Sequence, residues 1–150
     1  MTDLDTENVR TRTQELFLRN LRLLEEGRLE EWLDLYHPDS VLEFPFLPQG
    51  WPAELEGRAA IAEHMKHFPE QLRVSFRDVT FVETADPTVV VAEFTSEATA
   101  LVTGRDFRQS YLSIVWTEDG LIKRYRDFWN PLVIVEALGG TEAAAGAVTD

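Results

Sequence analysis

Four strand-like segments stand almost end to end in the second half of this chain: Arg73 to Glu83, Thr88 to Leu101, Phe107 to Thr117 and Gly120 to Asn130. Only short turns separate them, at Ala85-Asp86-Pro87, Gly104-Arg105-Asp106 and Glu118-Asp119-Gly120. Connections that short join antiparallel neighbours, because a parallel return needs a crossover of about a dozen residues. The second half of the chain is therefore expected to be an antiparallel sheet, and that sheet needs something to cover its apolar face.

The cover is upstream. From Val9 to Glu26, Leu16, Phe17, Leu21 and Leu24 recur at helical spacing, and Gly27 suits the helix end. A second helix is expected from Leu29 to Tyr36, with Leu29, Trp32, Leu33 and Tyr36 buried and His37-Pro38 as its stop. Val41 to Phe46 reads as a short strand. Pro48, Gly50 and Pro52 then stiffen a loop that carries Trp51. A third helix runs from Arg58 to Phe68 with Ile61, His64, Met65 and Phe68 on one stripe, closed by Pro69. After the last strand, Pro131 leads into a short helix, Leu132 to Leu138.

Helices first and a long meander afterwards predict an α+β domain, with a curved antiparallel sheet wrapped around N-terminal helices. Such a sheet makes a cone with an apolar mouth, a shape that suits ligands. The expected single domain spans residues 9–140, with 1–8 and 141–150 as flexible tails.

Charge and cysteine narrow the function. The net charge of -13 opposes nucleic acid and anionic membranes, both of which call for a basic surface. With no cysteine, thiolate nucleophiles, disulfides and cysteine-based metal sites are excluded. No apolar run approaches the roughly 18 residues of a membrane span. The opening MTDLDTENVR has no leader-like pattern, so a cytoplasmic setting is expected. Phosphate loops and nucleophile elbows are also missing. A metal site is not expected, since no acid beside His64 and His67 completes a ligand set. Any chemistry should be cofactor-free proton transfer.

The last strand holds the sharpest candidate. Side chains alternate, so Tyr125, Asp127 and Trp129 share one face, while Ile122, Arg124, Arg126 and Phe128 share the other. Asp127, set between two rings and facing Leu112, Ile114 and Trp116 across the hairpin, would be desolvated, which raises a carboxyl pKa towards neutrality. The alternative is an ion pair with Arg105, Arg108 or a neighbouring arginine. His64 is its natural partner as acid or base; a histidine satisfied by a carbonyl or water is the alternative. Phe17, Asn20, Phe44, Trp32, Leu112 and Trp116 are candidate pocket walls, with core packing as the alternative for each ring. Asn20 stands apart because a buried amide needs partners and could take a ligand oxygen. Glu43 is expected to be structural, paired with Arg58, and His67 to face solvent. Tyr111, Val115, Ile122 and Phe128 would form an outer sheet surface suited to a homodimer.

The segments EEGRLEEWLDLYHPDSVLEFPF, EFPFLPQGWPAELEGRAAIAEHM and IKRYRDFWNP resemble the nuclear transport factor two-like superfamily, in particular its SnoaL-like branch. In this alignment the catalytic positions of the ketosteroid isomerases fall on Asn20, Phe44 and Leu112, which implies that their route is not used. The closer resemblance is to the small phenazine-biosynthesis proteins. Their G-R-x-x-x-A-E-H pattern matches Gly57, Arg58, Ala62, Glu63 and His64; their K-R-x-R-E-F-x-N pattern matches Lys123, Arg124, Arg126, Asp127, Phe128 and Asn130. The resemblance implies acid–base roles for His64 and Asp127, with an acid one methylene shorter here. It implies a cofactor-independent isomerase, cyclase, condensing enzyme or dehydratase acting on a small cyclic, hydrophobic or aromatic metabolite of secondary metabolism. A non-catalytic carrier of such a metabolite is the alternative, and a structural domain with a vestigial cavity is a third.

Overall fold

The computed structural model describes residues 2–139. In chain order these form α1 (Asp3–Glu25), α2 (Leu29–Leu33), β1 (Tyr36–Glu43), β2 (Glu54–Glu56), α3 (Arg58–Met65), α4 (Phe68–Gln71), β3 (Leu72–Val82), β4 (Val89–Ala100), β5 (Arg105–Glu118), β6 (Leu121–Trp129) and α5 (Pro131–Ala137). One curved, unclosed six-stranded sheet runs β2-β1-β6-β5-β4-β3. The expected α+β architecture holds, with one amendment: β1 joins the sheet parallel to β6.

Several boundaries differ from expectation for local reasons. α1 starts at Asp3 because the Thr2 hydroxyl accepts the Asp5 N–H at 3.1 Å, an N-cap that the apolar pattern does not reveal. Tyr36 opens β1 instead of closing a helix. Pro69 does not end α3; it stands in the first turn of α4, where its missing N–H costs nothing. The expected tail after Gly140 lies outside the described residues.

The β5–β6 hairpin closes through a two-residue turn. Asp119 and Gly120 both have positive φ, 53° and 77°, as the Asp-Gly hairpin turn requires, and Glu118 pairs with Leu121. An unbroken ladder from that turn would set Leu112 opposite Asp127. The ladder is broken: Thr117 pairs with Ile122 but Trp116 pairs with Arg124, so Lys123 is an inserted bulge residue. From there on Ser113 faces Asp127, and Tyr111 faces Trp129. The bulge turns Ile122 inward, fully buried, and exchanges the two faces of β5 relative to β6. β3 has a comparable irregularity around Asp78, where φ is 57°. It brings Val79 and Phe81 to the same side as Val74 and Phe76.

The inner face of the sheet packs on α1 and α3. Phe17, Leu21, Leu23, Trp32, Tyr36, Ile61, Phe94, Val115 and Ile122 make the main core. A second, smaller cluster sits apart from it: Trp51, Ala100, Ile134, Ala137 and Leu138. It joins the Pro48–Pro52 loop to α5. α5 is itself started by Asn130, whose side chain accepts the Leu132 N–H at 3.0 Å. The cavity lies between the two clusters and takes its walls from both.

Candidate functional site

The cavity has a volume of about 190 Å³, somewhat more than the roughly 150 Å³ that holds a benzene ring. Its walls are mostly apolar and rich in rings: Phe44, Trp51, Phe76, Phe107, Tyr111 and Trp129 all reach it. Asp127 and His64 both line it, from β6 and α3 respectively. Phe44 lies between His64 and Trp129 along the wall, its ring centroid 6.1 Å from the His64 ring and 6.0 Å from the Trp129 ring.

Asp127 has no ion-pair partner among the described residues. The arginines that could have neutralised it point away, as alternation on β6 dictates: Arg124 and Arg126 both hold Glu43 on the outer face. Arg108 pairs with Glu97, and Arg105 donates to the Glu136 carbonyl. Instead Asp127 Oδ1 accepts the Ser113 hydroxyl at 2.9 Å. Burial pushes the Asp127 carboxyl up to about 7, and the Ser113 hydrogen bond only partly opposes it. The residue as a whole is half-buried, and its remaining surface lies on the cavity side. His64 is half-buried, and desolvation alone lowers its pKa. Near neutral pH the carboxyl is therefore close to half-protonated and the imidazole is neutral, the reverse of their usual order.

Behind Asp127 runs a buried polar chain. Asn20 Oδ1 accepts two hydrogen bonds, from Trp32 Nε1 at 2.7 Å and from the Tyr36 hydroxyl at 3.0 Å. The indole N–H can only donate, so the amide orientation is fixed. Asn20 Nδ2 makes no hydrogen bond of ordinary length, and the Tyr125 hydroxyl is its polar neighbour. Tyr125 in turn meets Ser113 Oγ at 3.2 Å. With Asp127 ionised, every proton in this chain can point towards the carboxylate, from Tyr125 to Ser113 to Oδ1.

The structure sorts the sequence candidates. Asp127, His64, Asn20, Trp32, Phe44, Tyr125 and Trp129 line the cavity. Phe17 does not: it is buried in the core, edge-on to Phe81 and Phe94. Leu112 and Trp116 do not either, since the Lys123 bulge puts them on the outer face, where Arg126 stands 4.9 Å over the Trp116 ring. Tyr111 and Val115, expected outside, point inward for the same reason, and Ile122 joins the core. Asn20 forms the sealed floor with no exposed surface, so its role is to brace Trp32 and Tyr36. Glu43 pairs with Arg124 and Arg126, not with Arg58, which donates to the Tyr36 carbonyl. His67 lies near Glu70 at 3.2 Å, and His37 accepts the Asp39 N–H. Among the residues that sequence reasoning did not place in the site are Ser113, bonded to Asp127, and Tyr111, Gln109 and Trp51 on the cavity wall. The adjacent charges Lys123 and Arg124, which cannot both point outward from a regular strand, were the signal available for the first two.

No group of three or more His, Asp or Glu able to hold a metal ion occurs among the described residues. No described helix is long and apolar enough to cross a membrane.

A helix-backed curved sheet around an apolar cavity with one buried acid defines a small-molecule pocket protein, and its sequence assigns it further. The SnoaL-like domain family matches residues 17–125, and the chain belongs to that family. It is 52% identical over 135 residues to an uncharacterised PhzA/B-like protein of Pseudomonas aeruginosa, covering 90% of this chain and 96% of the relative. The crystal structure of a proposed isomerase from Bacillus subtilis superposes with a TM-score of 0.83 at 37% identity, covering 94% of this chain and 98% of that one. A phenazine biosynthesis-related protein of Pseudomonas aeruginosa shares the fold at a TM-score of 0.76 and 20% identity, covering 93% of each chain.

Proposed function

We propose that this protein is a cofactor-independent acid–base enzyme that moves a proton within a small cyclic metabolite. The observation that carries the reading is Asp127, an unpaired carboxyl in an aromatic cavity with a pKa raised by burial to about 7. A carboxyl so poised takes a proton from one substrate atom and returns it to another at neutral pH, with no net change in oxidation state. One oxygen is fixed by Ser113, which leaves Oδ2 for the substrate. His64, neutral and on the same cavity, serves as the second donor or acceptor. The aromatic walls hold the ring in place. Proton relocation of this kind is isomerisation, and the isomerase assignment of the Bacillus subtilis relative supports that class over condensation or dehydration.

The setting we propose is cytoplasmic, with a metabolite as ligand and a second copy of the chain as partner. Leu112, Ile114 and Trp116 share the outer sheet face with Phe128, and Phe46 packs edge-on to Phe128 while 62% exposed. A sedimentation-velocity run that gives a monomer at all concentrations removes the dimer from the proposal.

Catalysis is tested by incubating the protein with a panel of small cyclic ketones, enones and hydroxyarenes in deuterated buffer, with exchange followed by NMR. The expected result is enzyme-dependent deuterium uptake, lost in Asp127→Asn while ligand binding remains. Uptake that persists in Asp127→Asn removes that residue from the mechanism. Binding without uptake in the wild type identifies a carrier.

A further inference from the structure

Resting on the pocket reading above, we infer that the cavity is specific for uncharged one- or two-ring compounds bearing an oxygen acceptor, and that it rejects organic anions. The argument begins with what lines it. Among the described residues no lysine or arginine reaches the cavity, although the chain carries 14 of them. Residues 140–150 contain neither, so they cannot supply one.

The cations are held elsewhere by structure. Arg124 and Arg126 flank Asp127 in sequence, yet alternation carries both to the outer face, where Glu43 holds them. Arg58, at the start of α3, spends a donor on the Tyr36 carbonyl. Arg28, just after α1, pairs with Glu26 and Glu31. The single imidazole on the cavity, His64, is held neutral by its own desolvation.

A carboxylate or phosphate entering this space would give up its hydration and meet no opposite charge, which disfavours it in a low-dielectric site. It would also share the space with Asp127. The overall charge of -13 adds a repulsive field at a distance. A neutral ring compound incurs none of these costs and gains contact with the aromatic side chains of the wall.

The oxygen acceptor follows from the same inventory. Ser113 and Tyr111 from β5, Tyr125 from β6 and Tyr36 from β1 surround Asp127, and Asn20 from α1 and His64 from α3 line the same cavity. Of these, Tyr111 is engaged with Ser96, Tyr36 with Asn20, and Tyr125 with Ser113. The protonated Asp127 carboxyl and the His64 ring are donors on the cavity wall that a ligand can use. A ring carbonyl is the neutral group that matches them.

Three probes of similar size separate the possibilities: 1-tetralone, the hydrocarbon tetralin, and 1-naphthoate. Titration calorimetry or ligand-observed NMR at pH 7 should rank them in that order. The ketone is expected to bind about tenfold or more tightly than the naphthoate, and more tightly than tetralin. Naphthoate binding as well as the ketone overturns the anion rejection; tetralin equal to the ketone overturns the acceptor requirement. A gain-of-charge variant guards against a size effect. Met65→Lys puts an ammonium on the cavity wall and should shift the preference towards naphthoate, with circular dichroism confirming that the variant folds. An unchanged ranking in folded Met65→Lys shows that charge is not the determinant and ends the inference. Proton exchange plays no part in these readouts, so a carrier and an enzyme would give the same ranking.

Discussion

The two faces of the β6 strand carry the same kind of group under opposite physical rules. Outside, the Glu43 carboxylate from neighbouring β1 lies between Arg124 and Arg126; its partial burial favours the neutral form, but the two arginine hydrogen bonds outweigh it and its pKa is lowered. Inside, one residue away, Asp127 meets no cation, and desolvation raises its pKa to about 7. Neither outcome is a property of carboxylates as such. Outside, the charge is neutralised and serves the sheet; inside, it is left uncompensated, and the protein bears a stability cost for a group that can exchange protons.

Removing the inner acid is the most direct way to break that contrast. Asp127→Asn keeps the shape and should lower proton-exchange activity by about 10² to 10⁴, the usual worth of a positioned general acid or base. Exchange in deuterated buffer measures it, and a loss under about threefold would assign the chemistry elsewhere.

The same variant should be more stable than the wild type, in a way that depends on pH. A folded pKa above the unfolded one means that the native state holds the proton more tightly. Wild-type stability from Asp127 is thus fully present near pH 4 and declines as pH rises to about 7. Asp127→Asn is free of this decline. Its advantage should be near zero at pH 4 and reach at most about 4 kcal/mol at pH 8, at 1.36 kcal/mol per pH unit, with solvent in the cavity reducing that figure. Urea titrations at the two pH values decide it; equal stability gaps at both would mean that Asp127 is not desolvated.

Ser113→Ala sharpens the comparison without touching the acid. Loss of its hydrogen bond to Oδ1 removes the one contact that lowers the Asp127 pKa, so the midpoint of the pH–activity profile should move above 7. A midpoint that stays fixed or falls contradicts the proposed contact. The smallest effect belongs outside. Glu43→Gln should cost about 1 kcal/mol at neutral pH, because its arginines are partly exposed, and the cost should fade as pH drops through the lowered pKa. A salt-insensitive loss well above that size would show that Glu43 supports the sheet by more than its charge.

Much of the frame was legible along the chain. The segment lengths and the Asp119-Gly120 turn fixed the meander, and alternation set Tyr125, Asp127 and Trp129 on one face, because a period of two is a local property of extended backbone. The capping motifs were legible in principle: Thr2 starts α1 earlier than the apolar pattern suggested. The cavity opposite Asp127 was not legible in the same way. Leu112 and Trp116 follow from an unbroken ladder, and one inserted residue at Lys123 replaces them with Tyr111 and Ser113. Asn20 was correctly marked as a buried amide, but only the packing shows Trp32 and Tyr36 already bound to its oxygen.

The sequence by itself determined the four strands of the meander, their turns, the family and the absence of thiol chemistry, since each depends on neighbours within a few residues or on composition. Tertiary structure alone decided which face of β5 meets Asp127, where the arginines go, and hence whether that carboxyl is charged. Register and burial are sums over distant contacts. A single bulge reverses the first, and the second sets the free energy of the proton.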